Sequence, residues 1–107
     1  MFGMSDAHVP EVSTQEVDAM LAAPGAPFVL DVREPGEYAV GHIAGSHLIP
    51  LGSLPERHSE VPRDRKVVVV CRSGGRSASA TRLLLAEGHD ATNMAGGMLA
   101  WRGPVER

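Results

Sequence analysis

Four consecutive valines, Val67 to Val70, run straight into Cys71, and the polar stretch Arg72-Ser73-Gly74-Gly75-Arg76-Ser77 follows at once. No other feature of the chain restricts its folding as strongly. Consecutive β-branched residues favour extended backbone. With no polar residue among them, neither face of that strand can meet water. A strand covered on both faces belongs to the centre of a parallel sheet flanked by crossover helices. The next segment supplies such a helix. Ala80, Leu83, Leu84 and Glu87 recur at helical spacing, which predicts a helix over Ser77 to Glu87, and Gly88 stands where a glycine ends a helix.

The rest of the chain alternates in the same way. Val9 to Val12 predicts a short edge strand. Ser13 with Glu16 forms a capping box before a helix carrying Val17, Met20 and Leu21, and Pro24-Gly25-Ala26-Pro27 stops it. Phe28 to Val32 is a near-continuous apolar run of strand length. Glu34 to Val40 holds a short helix broken by Gly41. His47 to Pro50 reads as a strand, Leu54 to Glu60 as a short helix with Pro55 in its first turn, and Ala91 to Met94 as a last strand. Gly96-Gly97 turns the chain into a final helical turn over Met98 to Arg102. Strand–helix alternation predicts a mostly parallel sheet with helices on both faces, and ligands of such sheets sit outside the carboxyl ends of the strands. Cys71 occupies that end of the strongest strand.

Bulk properties exclude several functions. At 107 residues the chain holds one domain, read as residues 9–107 after a flexible tail over residues 1–8. The net charge of −3 argues against nucleic acid as a partner. No apolar run is long enough to span a membrane, and the first residues lack the pattern of a signal peptide. A single cysteine forms no internal disulfide, so a cytoplasmic protein with a free thiol is expected. His8, His47, His58 and His89 show no metal-ligand spacing with Cys71, and neither metal nor cofactor is expected.

The loop after Cys71 favours an anion. Gly74 and Gly75 are expected to take positive φ and turn backbone N–H groups into a common concavity. The following helix adds its unpaired N-terminal donors. Arg72 is placed at the mouth of this cradle and Arg76 leaning back over it, both adding charge. Each term favours a thiolate, with a pKa of roughly 3.5–7.5 in such settings against about 8.5 for a free cysteine. A cysteine after a valine strand is often a plain core residue, but a core residue has no use for a cationic, glycine-rich turn. The interval from Cys71 to Arg76 is C-x-x-x-x-R, one residue shorter than the phosphate-binding loop of cysteine phosphatases. A smaller ring suits one sulfur atom better than a tetrahedral phosphate.

Three ordered stretches, "VLDVREPGEYAVGHIAGSHLIPL" from Val29, "CRSGGRS" from Cys71 and "NMAGGMLAWRGPV" from Asn93, resemble the rhodanese family of sulfurtransferases. The resemblance implies a small single-domain α/β fold with a central parallel sheet of about five strands. It implies that Cys71 is the nucleophile, taking sulfane sulfur from thiosulfate or another persulfide donor and passing it to cyanide or a thiol acceptor. Arg72, Ser73, Gly74, Gly75, Arg76 and Ser77 would bind substrate. Asp31, Arg33 and His42 match family positions read as structural support, and Trp101 as an anchor against the sheet. Arg63, Arg65 and Lys66 form a basic cluster that could face an acidic partner. Two other readings compete: a sulfur-carrier or interaction module served by a partner in a sulfur relay, and a cysteine phosphatase or arsenate reductase. The short loop argues against the last.

Overall fold

The computed structural model describes residues 9–107, so the tail expected over residues 1–8 lies outside the described residues. The elements are β1 (Glu11–Val12), α1 (Thr14–Ala22), β2 (Phe28–Asp31), α2 (Pro35–Val40), β3 (His42–Ile43), β4 (His47–Leu48), α3 (Leu54–Arg57), β5 (Val67–Val70), α4 (Gly75–Ala86), β6 (Ala91–Met94), α5 (Gly97–Ala100) and β7 (Val105–Glu106). Five strands form one sheet in the order β1-β6-β5-β2-β4, with every pair parallel. β5 lies at its centre, as its valine run requires.

Alternation along β5 divides the core. Val67, Val69 and Cys71 pack on one face with Leu30, Leu54, Ala80 and Leu84, beneath α3 and α4. Val68 and Val70 pack on the other with Val17, Met94 and Trp101, beneath α1 and α5. All four valines are fully buried. Burial of one such side chain contributes about 1.5–3 kcal/mol, which explains why a run with no polar break is kept. Trp101 sits against the sheet, its indole N–H donating to the Pro104 carbonyl at 3.2 Å.

Local signals set the element ends. Ser13 caps α1, and the reciprocal bonds of the capping box are both formed, Glu16 N–H to Ser13 Oγ and Ser13 N–H to Glu16 Oε1. Gly88 takes φ +91° after α4, the left-handed conformation that favours glycine.

Several expected bounds shift. The Leu54–Glu60 helix is only Leu54–Arg57, flanked by 3-10 turns at Leu51–Ser53 and His58–Glu60. α4 begins at Gly75, two residues before Ser77, because Gly74 (φ +112°) completes the reversal alone. Gly75 is helical, which corrects the expectation of positive φ there. An antiparallel pair unseen in the sequence joins β3 to β7, with His42 opposite Glu106 and Ile43 opposite Val105.

Candidate functional site

β5 delivers Cys71 to the carboxyl end of the sheet, and the chain turns back over its sulfur within three residues. Cys71 Sγ accepts from Gly74 N–H at 3.1 Å and from Ser77 N–H at 3.3 Å, and lies 3.2 Å from Ser77 Oγ. The left-handed Gly74 aims the first amide, and the opening turn of α4 aims the second. Burial opposes ionisation and is the largest single influence on the thiol. The Ser77 hydroxyl and the amides of Ser77, Gly74 and Ser73 together outweigh it, holding the Cys71 pKa below its ordinary value. The residue is 1% exposed, so whatever reaches the sulfur is narrow.

A second layer holds the loop. Ser77 Oγ lies 2.5 Å from Asn93 Oδ1, and Asn93 Nδ2 donates to the Gly74 carbonyl at 3.2 Å. The start of α5 grips the other side: Met98 N–H donates to the Cys71 carbonyl at 2.8 Å and Leu99 N–H to the Arg72 carbonyl at 3.0 Å. Gly97, at φ +60°, lets these backbones meet.

The two loop arginines part company. Arg72 is exposed and lines a groove of about 300 Å³ with Arg33, Glu37, Val40, Met98 and Leu99. Arg76 turns toward α2 and grips Glu37 with two bonds of 2.7 and 2.8 Å, so its charge is shared with that carboxylate. The Arg76 guanidinium, helped by the Glu34 N–H, holds the Glu37 carboxyl at about 2, against an ordinary 4.5. A depressed carboxyl stabilises the fold fully above its unfolded value and loses that contribution as pH falls through its folded one. The clamp between α2 and α4 is therefore expected to open as pH drops from 4.5 toward 2. Stability followed by thermal melts across that window should fall less steeply in Glu37→Gln than in the native chain, and parallel curves would refute the clamp.

Asp31 and Arg33 form a closed, buried pair at the end of β2. Arg33 Nη2 lies 2.8 Å from Asp31 Oδ2 and also donates to the Gly41 carbonyl at 2.8 Å, tying the strand end to the chain after α2. His42 stacks on Tyr38 with ring centroids 3.7 Å apart, and its Nδ1 is 2.8 Å from the Tyr38 carbonyl. Neither His42 nor the Asp31–Arg33 pair is among the hydrogen-bond partners of the Cys71 sulfur. The basic cluster lies at the opposite end of β5 from Cys71, with Arg65 on the Ala26 carbonyl at 2.8 Å, Arg63 on the Glu87 carbonyl and Lys66 3.6 Å from Asp90. A larger cavity of about 480 Å³ opens between α1 and the start of β2; Cys71 does not line it. Among the described residues no cluster of acidic, histidine or cysteine side chains suits a metal, and no helix is long and apolar enough to cross a membrane.

The sequence sets Ser77 among the loop donors around Cys71 and gives Gly97 only a turn, but it assigns no role to Asn93 or Glu37. Asn93 and Glu37 lie within quoted motifs without a stated use. Glu37 carries no local signal for its contact with Arg76, since the partners are 39 residues apart.

The model of the rhodanese-like domain matches residues 13–104. A sulfurtransferase of Allochromatium vinosum is 37% identical over 94 residues, covering 87% of this chain and 88% of its own. YrkF of Bacillus subtilis, named as a candidate sulfur carrier protein, is 33% identical over 99 residues; these cover 92% of this chain but 54% of YrkF. The crystal structure of a rhodanese-like domain protein from Staphylococcus aureus superposes with a TM-score of 0.86 at 33% identity, covering 91% of this chain and 96% of that one.

Proposed function

Because this chain belongs to the rhodanese-like domain family, we propose that it is a sulfurtransferase whose Cys71 thiolate carries sulfane sulfur as a persulfide. The carrying observation is the ring of donors closed on Cys71 Sγ by Gly74 and Ser77. Such a ring stabilises a sulfur anion before any substrate arrives, so no general base is required for attack.

With thiosulfate as donor the chemistry balances without a co-reactant. The Cys71 thiolate attacks the outer sulfur, a new S–S bond forms, and the old one breaks as its electron pair leaves with sulfite. Cyanide or a thiolate then attacks the terminal sulfur of the persulfide, and the Cys71 thiolate is regenerated. The cycle is ping-pong. Ser73, Gly74, Gly75 and Ser77 supply the donors or the turn that holds the anion. Asp31, Arg33 and His42 keep the neighbouring loops in place. The nearly closed sulfur favours a donor that presents one terminal sulfur atom over a bulky phosphate ester.

Brief exposure to thiosulfate followed by intact-mass measurement tests the reading. The expected product has gained one sulfur atom, which cyanide removes. No gain with thiosulfate or with any low-molecular-weight persulfide, or faster hydrolysis of an aryl phosphate than transfer of sulfur, would overturn it.

Arg72 sets the preference for charged donors in this scheme. It stands exposed beside the loop, while Arg76 is held by Glu37. Arg72→Ala should raise the KM for thiosulfate more than for an uncharged donor, the pattern of lost uniform binding. One exposed charge contact contributes about 1–2 kcal/mol, or roughly a 5- to 30-fold loss in kcat/KM. Equal losses on both donors would remove Arg72 from this role. A sulfur-carrier role in a relay is a second reading, favoured by the groove beside Arg72, where Val40 and Leu99 are 72% and 57% exposed. Sulfur transfer to a thiol-bearing protein, compared with transfer to cyanide, separates the two.

A further inference from the structure

Ser77 has one hydroxyl proton and two buried acceptors competing for it. Cys71 Sγ lies 3.2 Å away and Asn93 Oδ1 2.5 Å away. The orientation of the Asn93 amide is settled by its other end, where Nδ2 donates to the Gly74 carbonyl at 3.2 Å. Turning the amide over would set two carbonyl oxygens against each other. Asn93 cannot move to relieve the competition, because its backbone is paired with Val69 of β5 and with Glu11 of β1, and its N–H donates to the Pro10 carbonyl at 2.8 Å. Cys71, Ser77 and Asn93 are all buried, so water does not substitute for a missing bond.

The two protonation states of Cys71 are therefore unequal. In the thiol, S–H donates to Ser77 Oγ and the Ser77 hydroxyl donates to Asn93, and every group is satisfied. In the thiolate, either Ser77 turns to the sulfur and Asn93 Oδ1 is left bare, or Ser77 stays with Asn93 and the sulfur keeps only its amide donors. We propose that Asn93 is a positioning residue that withholds the Ser77 proton from Cys71, destabilising the resting thiolate relative to both the thiol and the persulfide. The persulfide belongs with the thiol because its charge moves out to the terminal sulfur and Sγ no longer competes for the proton. Asn93 thus tilts the exchange with sulfite toward the loaded state. That consequence rests on the sulfur-transfer reading, whereas the competition for the proton does not.

The charged groups around the thiol stay constant in the test. They are Arg72 on the loop, Arg76 on α4 with Glu37 on α2, and the Asp31–Arg33 pair at the end of β2. The full chain is titrated by alkylation rate against pH, with no sulfur donor present. Asn93→Leu keeps the branched outline of the side chain and removes the acceptor. It should lower the Cys71 midpoint by about one pH unit, a tenfold change in the ionisation constant, the scale of one hydrogen bond to a charged group. In the Ser77→Ala background the same change should leave the midpoint where Ser77→Ala alone puts it. A midpoint unchanged or raised by Asn93→Leu overturns the proposal, and so does an equal drop without Ser77. Asn93→Ala, which adds no bulk against Gly74, gives the same readout should the leucine variant fail to fold. Loading at a fixed ratio of thiosulfate to sulfite supplies a second measurement: Asn93→Leu should lower the persulfide fraction. Failure of the native chain to load would sink the sulfur-transfer reading and leave the titration result standing.

Discussion

Cys71→Ser is expected to abolish sulfur loading while the fold persists. Serine is smaller than cysteine and its Oγ accepts hydrogen bonds, so the Gly74 and Ser77 amides keep an acceptor and the buried site stays paired. What disappears is the nucleophile. A hydroxyl is not ionised near neutral pH, and an oxygen–sulfur adduct gives no route to a stable sulfane carrier. No second cysteine exists to take over. Transfer of sulfur from thiosulfate should fall by at least about four orders of magnitude, since removing a covalent nucleophile removes the pathway itself. The intact mass should show no added sulfur, and the melting temperature should stay near that of the native chain. Residual transfer within a factor of about ten of native would place the chemistry elsewhere.

Gly97→Ala is expected to be the most damaging small substitution near the site. Gly97 sits at φ +60°, where a side chain is strained, and an added Cβ would lie 2.4 Å from the Arg72 carbonyl oxygen and 2.7 Å from that of Cys71. Both obstacles are backbone, fixed by the Met98 and Leu99 amides, so no rotamer change relieves the clash. The backbone strain costs about 1–3 kcal/mol and the overpacking a similar amount, a combined loss of about 2–6 kcal/mol. For a domain of this size that lowers the melting temperature by roughly 10–30 °C. Transfer should collapse as well, because the displaced atoms carry the nucleophile. Gly75→Ala is the internal control: its φ is helical and a Cβ there meets nothing within 4 Å, so alanine should be tolerated. Similar melting temperatures for the two variants would show that α5 does not grip the loop.

Much of this was legible along the chain because it rests on local or periodic signals. The valine run specified a central strand, since only a doubly covered strand has no use for polar residues. The spacing Ala80-Leu83-Leu84 specified the helix behind it, and Ser13 with Glu16 specified the start of α1 through bonds that reach only three residues. The pairing of Cys71 with Gly74 and Ser77 is equally local, at separations of three and six residues. A thiol in an anion-binding turn was therefore readable before any tertiary contact was known.

Tertiary structure alone decided how that turn is held and tuned. Arg76 looked like a free charge for the cradle until α2 brought Glu37 against it, 39 residues away. Nothing near Asn93 in sequence shows that parallel pairing of β6 with β5 sets its amide beside Ser77, or that α5 returns the Gly97 backbone onto that of Arg72. Periodicity and capping report what a segment does with its own neighbours. Which distant polar atoms share a proton, and which carboxylate neutralises which arginine, depends on sheet order and helix packing, and these come from burying all the apolar faces at once.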